Sequence, residues 1–167
     1  MINYFYGNLF ELFDTTPVNM NGDELHFIIH GCNAQGRMGT GFAKELRERF
    51  PDAYKAYNDA YVNNNNRLEL GTVINHPVHS SLVICNAITQ QFYGYDGKKY
   101  VSYDAIDTIF EELNKTAKTV LDLKLVDSVH FHFPKIGAGL AGGDWEIIEK
   151  IIDSRVTYAS KNLYELR

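Results

Sequence analysis

Residues 30–50, HGCNAQGRMGTGFAKELRERF, constrain the fold more than any other part of this chain. An apolar, β-prone run precedes them, and Phe42, Ala43, Leu46 and Phe50 recur at helical spacing within them. A strand must therefore enter a glycine-rich loop and leave as a helix. Gly31, Gly36, Gly39 and Gly41 fall within eleven residues, where a plain strand-to-helix connection needs one glycine or two. Glycine lets a ligand approach the main chain without a Cβ in the way. The first amides of the following helix have no partner inside it and lie at its positive end. Such a loop cradles an anion, phosphate above all, with main-chain N–H groups.

Known spacings narrow the choice. A Walker loop needs Lys and then Ser or Thr after its second glycine, whereas Gly36 is followed by Arg37 and Met38. The dinucleotide fingerprint can start at Gly39 and Gly41, but its third glycine position is Lys44. A cysteine phosphatase sets a thiolate in a nest of amides with an arginine six positions on. Here Cys32 has Arg37 at five, so that alternative stays open with a one-residue misfit.

The chain has 167 residues and 45% hydrophobic letters, which predicts one domain over residues 1–167 with a substantial core. A net charge of −5 with scattered basic residues argues against a nucleic-acid backbone as the main ligand and leaves room for a small nucleotide. Cys32 and Cys85 are far apart in apolar surroundings, as suits free thiols in a reducing compartment. The cytoplasm is the expected location, or a host's cytoplasm if the gene is carried by a phage. No leader-like start and no bilayer-length apolar run is present, so a soluble, unprocessed protein without a membrane partner is expected. No long apolar helix face calls for an obligate partner, and a monomer is expected.

Residues 2–6 alternate apolar and polar and form the first predicted strand, closed by Gly7 and Asn8. Leu9, Leu12 and Phe13 suggest a helical turn, and residues 17–22 carry turn letters. Residues 25–30 form the second strand, with Leu25, Phe27 and Ile29 on one face and His26, Ile28 and His30 on the other. Pro51 stops the helix behind the glycine loop, residues 53–61 form another helical piece, and residues 63–66 are a polar loop. Residues 71–75 and 82–88 read as strands, the latter almost wholly apolar and therefore central. His76 and His79, beside Pro77, are expected in a loop. Residues 89–100 form a loop whose Phe92, Tyr93, Tyr95 and Tyr100 either pack or stack on a base or ribose, packing being the commoner use of loop aromatics.

Ser102 can cap a helix over residues 103–123 with Ile106, Ile109, Phe110, Leu113, Ala117, Val120 and Leu121 on one face. Residues 126–133 form a strand with Val129, Phe131 and Phe133 inward and His130 and His132 opposite, on a helix-covered face. An H-x-H pair can bind zinc, but no third ligand stands at a recognisable spacing, so no metal site is expected. Residues 134–145, PKIGAGLAGGDW, make a second strand-loop-helix junction with four glycines. Asp144 caps a helix burying Trp145, Ile148, Ile151 and Ile152, and residues 162–166 supply a closing strand. Alternating strands and helices give an α/β fold, a mainly parallel sheet covered on both faces, with ligands at the strands' carboxyl ends. Two glycine loops at that edge imply a ligand with more than one anionic or ribose group.

With both loops in place, the chain resembles the macro domain family of ADP-ribose binders over essentially its whole length. The resemblance is carried by Tyr6-Gly7-Asn8-Leu9, by His30-Gly-Cys-Asn-Ala-Gln-Gly-Arg-Met-Gly-Thr-Gly-Phe-Ala43 and by Pro134-Lys-Ile-Gly-Ala-Gly-Leu-Ala-Gly-Gly-Asp-Trp145, in that order and spacing. It implies a three-layer α/β/α fold with a mixed, mainly parallel sheet. It also implies a small-molecule ligand, ADP-ribose or ADP-ribose 1''-phosphate, and no cofactor. The ligand-binding set it implies is Gly7, Asn8, Leu9, Gly31, Cys32, Asn33, Met38, Gly39, Thr40, Gly41, Phe42, Ile136, Gly137, Ala138, Gly139, Leu140 and Ala141. Within that set Asn8 matches the reader of the adenine amino group, where many members have Asp. A carboxamide can accept from that amine and donate to the neighbouring ring nitrogen. Asn33 matches the asparagine beside the distal ribose. Gly39, Thr40, Gly41 and Phe42 match the loop and helix start at the diphosphate, and residues 136–140 match the second phosphate loop.

Inside the family the chain is most similar to the branch that dephosphorylates ADP-ribose 1''-phosphate, a by-product of tRNA splicing. The local grounds are His30-Gly-Cys-Asn and Ile84-Cys-Asn-Ala-Ile-Thr-Gln-Gln-Phe92. It is also similar to the branch that removes ADP-ribose from protein glutamate or from DNA. That branch uses a lysine just after the central strand and, in protein-directed members, an aspartate in the second loop, whereas the matching positions here hold Gln90 and Ala141. For phosphate release the candidate catalytic side chain is His30, which could protonate the leaving anomeric oxygen or orient water while loop amides stabilise the phosphoryl group. His30→Ala would then abolish turnover and spare ADP-ribose affinity. The bland alternative is that His30 only bonds its neighbours. Three functions stay open: the phosphatase, a de-ADP-ribosylating hydrolase, and a reader that binds ADP-ribose without chemistry.

Overall fold

Alternation along the second strand decides the layering. In the computed structural model, which describes residues 1–11 and 23–166, that strand is β2 (Glu24–Asn33). Phe27 and Ile29 enter one core and Ile28 and Cys32 the other. The remaining strands are β1 (Asn3–Tyr6), β3 (Val73–His79), β4 (Leu82–Gln90), β5 (Ser128–Phe133) and β6 (Ser160–Glu165). They form one six-stranded sheet in the order β1-β6-β5-β2-β4-β3, parallel throughout except for β3, which runs antiparallel to β4. The fold is the expected α/β class with a mixed, mainly parallel sheet flanked by helices. The expected turn over residues 17–22, and Leu12 and Phe13, lie outside the described residues.

Helices α1 (Gly41–Arg49) and α2 (Pro51–Asn63) cover one face, placing Leu46, Ala53 and Tyr57 against Ile28, Ile84 and Ile88. Helices α3 (Tyr103–Asp122) and α4 (Trp145–Arg155) cover the other. Ile106, Ile109, Phe110, Leu113 and Ala117 of α3 follow helical spacing and meet Phe27, Phe131 and Phe133. Each large side chain so buried contributes about 1.5–3 kcal/mol. Ser102 Oγ accepts from Ala105 N at 3.1 Å, and Asp144 Oδ1 accepts from Glu146 N at 2.9 Å, so both expected caps start their helices. Pro51 at the head of α2 stops α1, because proline cannot donate to a preceding turn.

Two local expectations change. His76 and His79 lie on β3 and not in a loop. Pro77 is tolerated there because β3 is an edge strand, and the register shifts between Pro77 and His79. β2 also runs three residues past His30, pairing Gly31 with Ala87 and Cys32 with Ile88. Gly31 makes that extension possible, since a Cβ there would lie 2.7 Å from Thr89 Oγ1 and 3.2 Å from Ile136 Cγ2. Because β2 is covered on both faces, its polar side chains must find partners inside the protein. No helix among the described residues is long and apolar enough to cross a membrane.

Candidate functional site

The strand order sets β2 between β4 and β5, so the loops leaving their carboxyl ends converge. Between them lies a cleft of about 520 Å³. Its walls carry His30, Gly31, Cys32, Asn33, Met38, Gly39, Thr40, Gly41, Phe42, Ile136, Gly137, Gly139, Leu140 and Ala141 of the expected set. They also carry residues that sequence reasoning left out of that set: Arg37, Ala43, Thr89, Gln90, Tyr93, Gly94, Tyr95, Pro134 and Lys135. Thr89 Oγ1 is buried and has no hydrogen-bond partner among the described residues.

The glycines divide by what surrounds them. A Cβ on Gly137, at φ +74, would come 2.6 Å from Val101 Cγ2, so packing alone demands that glycine. Around Gly39, Gly41 and Gly139 an added Cβ meets nothing within 4 Å, so packing does not explain them, although Gly41, at φ +60, is also favoured by its backbone conformation. Open space above bare main chain on both loops is what a ligand contacting amides requires. The cap of α1 agrees. Thr40 makes no side-chain cap bond and no acidic residue stands in the first turn, which leaves the positive helix end available to an anion.

Four residues of the expected set lie off the cleft wall. Ala138 donates its N–H to Lys135 O at 3.3 Å inside the second loop. Gly7 N donates to Glu165 O at 2.9 Å, and Leu9 is buried in the α1–α2 core. Asn8 accepts from Phe10 N at 2.9 Å and donates from Nδ2 to Glu45 Oε1 at 3.1 Å. Its carboxamide is engaged at both ends, unlike the free adenine reader that the resemblance implies. Asn33 likewise holds its own loop: Nδ2 donates to Arg37 O at 2.8 Å, while Oδ1 accepts from Gln35 N at 3.0 Å and from Tyr57 Oη at 3.0 Å.

His30 differs most from the sequence reading. It is 1% exposed, and its Nε2 lies 2.6 Å from Asn86 Oδ1. Asn86 Nδ2 donates to Ala53 O at 3.1 Å, so its oxygen is the acceptor and His30 carries its proton on Nε2. Burial pushes the imidazole pKa down to about 4, opposed by the Asn86 hydrogen bond. His30 is therefore a neutral side chain near pH 7 whose N–H is already spent. The geometry opposes a proton-donor role and supports positioning, because His30 and Asn86 tie β2, β4 and α2 together beneath the first loop.

Cys32 fares no better as a nucleophile. Its thiol is buried, 3.5 Å from His30 Nε2, and burial raises its pKa, against a weaker lowering from the Ala87 backbone. A thiolate is the reactive form, so this environment disfavours the cysteine-phosphatase alternative. Cys32→Ser is expected to retain at least about half of any phosphatase activity, by phosphate-release assay. A loss beyond about 100-fold with the fold intact would restore the thiol mechanism.

The loop after β4 resolves the question of its aromatics. Tyr100 Oη donates to Asp96 Oδ1 at 2.8 Å and packs its own loop. Tyr93 and Tyr95 line the cleft, and Tyr95 is 66% exposed, so these two rings are open to the cleft and do little packing. Gln90 stands on the same wall with Nε2 donating to Phe92 O at 2.7 Å, and Ala141 O accepts from Tyr100 N and Val101 N. Lys135 is paired with Glu165 at 2.5 Å.

The Macro domain family model matches residues 29–152. A Debaryomyces hansenii protein named ADP-ribose 1''-phosphate phosphatase is 29% identical over 92% of this chain and 93% of its own length. A protein of Enterobacteria phage T4, named only as an uncharacterized 17.5 kDa protein in the tk-vs intergenic region, is 32% identical over 80% of each chain. Among solved structures, a macrodomain protein from Streptomyces coelicolor has a TM-score of 0.72 at 28% identity, covering 99% of both chains.

Proposed function

This chain belongs to the Macro domain family, and from that premise we propose that it hydrolyses ADP-ribose 1''-phosphate to ADP-ribose and inorganic phosphate. The observation that carries the reading is the open main-chain face of Gly39, Gly41 and Gly139 on the two loops of one cleft. That arrangement suits a ligand with a diphosphate and a further phosphate. The name borne by the Debaryomyces hansenii relative supports the choice of reaction.

In this reading the start of α1 receives the diphosphate, Tyr93 and Tyr95 flank a ring of the ligand, and the second loop receives the 1''-phosphate. Water attacks phosphorus, the bond to the anomeric oxygen breaks, and the departing oxygen takes its proton from solvent. Phosphoryl transfer demands little covalent help from a protein, and positioning with electrostatic stabilisation supplies most of the rate. Main-chain amides can provide both. His30 then acts from beneath, by holding the loop. Gln90 and Ala141 line the cleft, and the resemblance matches them to the positions of the lysine and aspartate used in the removal of ADP-ribose, which supports phosphate release over that reaction.

A non-catalytic ADP-ribose reader is the second reading. One observation favours it: the cleft wall carries no carboxylate among the described residues, and its only imidazole is buried. Phosphate release from ADP-ribose 1''-phosphate without added metal, run beside calorimetry with ADP-ribose, separates the two. Release together with product binding is expected. Tight ADP-ribose binding without release would replace the enzyme by the reader, and neither signal would remove ADP-ribose from this cleft.

A further inference from the structure

At the amino ends of the strands, away from the cleft, a second constellation forms. Parallel register sets Glu24 of β2 opposite Ser128 of β5, and His26 opposite His130. Period-two alternation points Glu24, His26 and His130 to the same face. Glu24 Oε2 lies 3.1 Å from His26 Nε2, and Glu24 Oε1 lies 3.9 Å from His130 Nε2. One donor atom from each of the three residues falls within 4.8 Å of the others.

The groups behind these donors support ligation. His26 Nδ1 lies 2.8 Å from His132 Nε2, and His132 Nδ1 lies 2.9 Å from Tyr164 Oη. His130 Nδ1 lies 2.7 Å from Ser160 Oγ on β6. With protons on the three Nδ1 atoms, each is donated along these contacts; the Nε2 lone pair of His26 faces the Glu24 carboxylate, and that of His130 accepts from Ser128 Oγ at 2.8 Å, a hydroxyl that a bound metal would displace. A metal-bound histidine usually donates its other ring N–H to an outer partner, and both candidate ligands have one.

We propose that Glu24, His26 and His130 bind a zinc ion that staples β2 to β5. Two imidazoles and one carboxylate are a borderline donor set that suits zinc and not magnesium or calcium. Zinc bonds of about 2.0–2.2 Å require donor separations of roughly 3.4 Å in a tetrahedron. Closing the 3.9 Å gap to His130 falls to Glu24, whose side chain is 33% exposed and can change rotamer, while the rings of His26 and His130, stacked with centroids 4.9 Å apart, must tilt toward each other to converge on one ion. The fourth position is open to water.

Calorimetry with zinc chloride on the metal-stripped full chain, followed by cobalt(II) absorption, tests the site. One zinc per chain is expected, with the intense visible bands of a tetrahedral cobalt centre. Glu24→Gln and His130→Asn should each weaken zinc at least about tenfold, while His76→Asn on β3 leaves it unchanged. Glu24→Gln preserves shape, so it reports on ligation if the histidine variant folds poorly. No zinc binding by the wild type, or binding that survives Glu24→Gln, would overturn the proposal. Because the readout is metal affinity, the result is independent of whether the cleft releases phosphate.

Discussion

Gly39→Val is expected to abolish ADP-ribose binding, with a loss of at least about 100-fold, or roughly 2.7 kcal/mol, while the thermal midpoint shifts only slightly. Gly39 does not occupy positive φ, and a Cβ placed on it meets nothing within 4 Å, so the fold has no need of glycine there. In the proposed binding mode, the added isopropyl group fills the space between the ligand phosphates and the start of α1. Gly137→Val supplies the contrast. At φ +74, with Val101 Cγ2 2.6 Å from the new Cβ, that change should destabilise the whole domain by several kcal/mol, within the range for strain plus overpacking. Calorimetry and thermal unfolding of the two variants separate a ligand glycine from a packing glycine. Wild-type affinity in Gly39→Val would take the first loop out of the binding site.

Asn86→Leu should cost about 2–4 kcal/mol of stability, read as a lower urea midpoint at an unchanged slope. The substitution strands two buried groups at once, the His30 Nε2–H and the Ala53 carbonyl. His30 also sets a pH dependence. Its pKa is about 4 in the folded protein against about 6.5 in an unfolded chain, so the unfolded state binds more protons between those values. Stability is therefore full above about pH 6.5 and falls as pH drops toward 4. His132, pushed down to about 3 mainly by burial, acts in the same direction. His30→Gln should flatten part of this acid decline, measured as thermal midpoint against pH. An equally steep decline in the variant would acquit His30. In the wild type, turnover should show no inflection from His30 between about pH 6 and 8.

Much of the cleft was legible because its signal is local. Glycines at 39, 41 and 139 sit between a strand pattern and a helix pattern, and the caps Ser102 and Asp144 announce their helices within three residues. The polar residues resisted because their roles depend on partners far along the chain. Asn8 faces Glu45, and His30 faces Asn86 across 56 positions. No spacing rule reports whether an imidazole at a strand end will be exposed or enclosed. Tyr93 and Tyr95 resisted for the same reason, since a loop ring packs or projects according to the surface beneath it.

Taken alone, the sequence determined the order of strands, loops and helices, the two faces of β2, and the placing of glycine-rich loops at two strand-to-helix junctions. Backbone sterics and hydrophobic periodicity act between near neighbours, so these features need no knowledge of the rest of the molecule. Only the tertiary structure decided that β2 lies between β4 and β5, which brings loops a hundred residues apart to one cleft and sets His26 beside His130. Strand pairing is chosen by which buried faces fit together across the whole sheet. The same pairing took His30 out of solvent and onto Asn86, because a strand covered on both sides leaves its polar groups only internal partners.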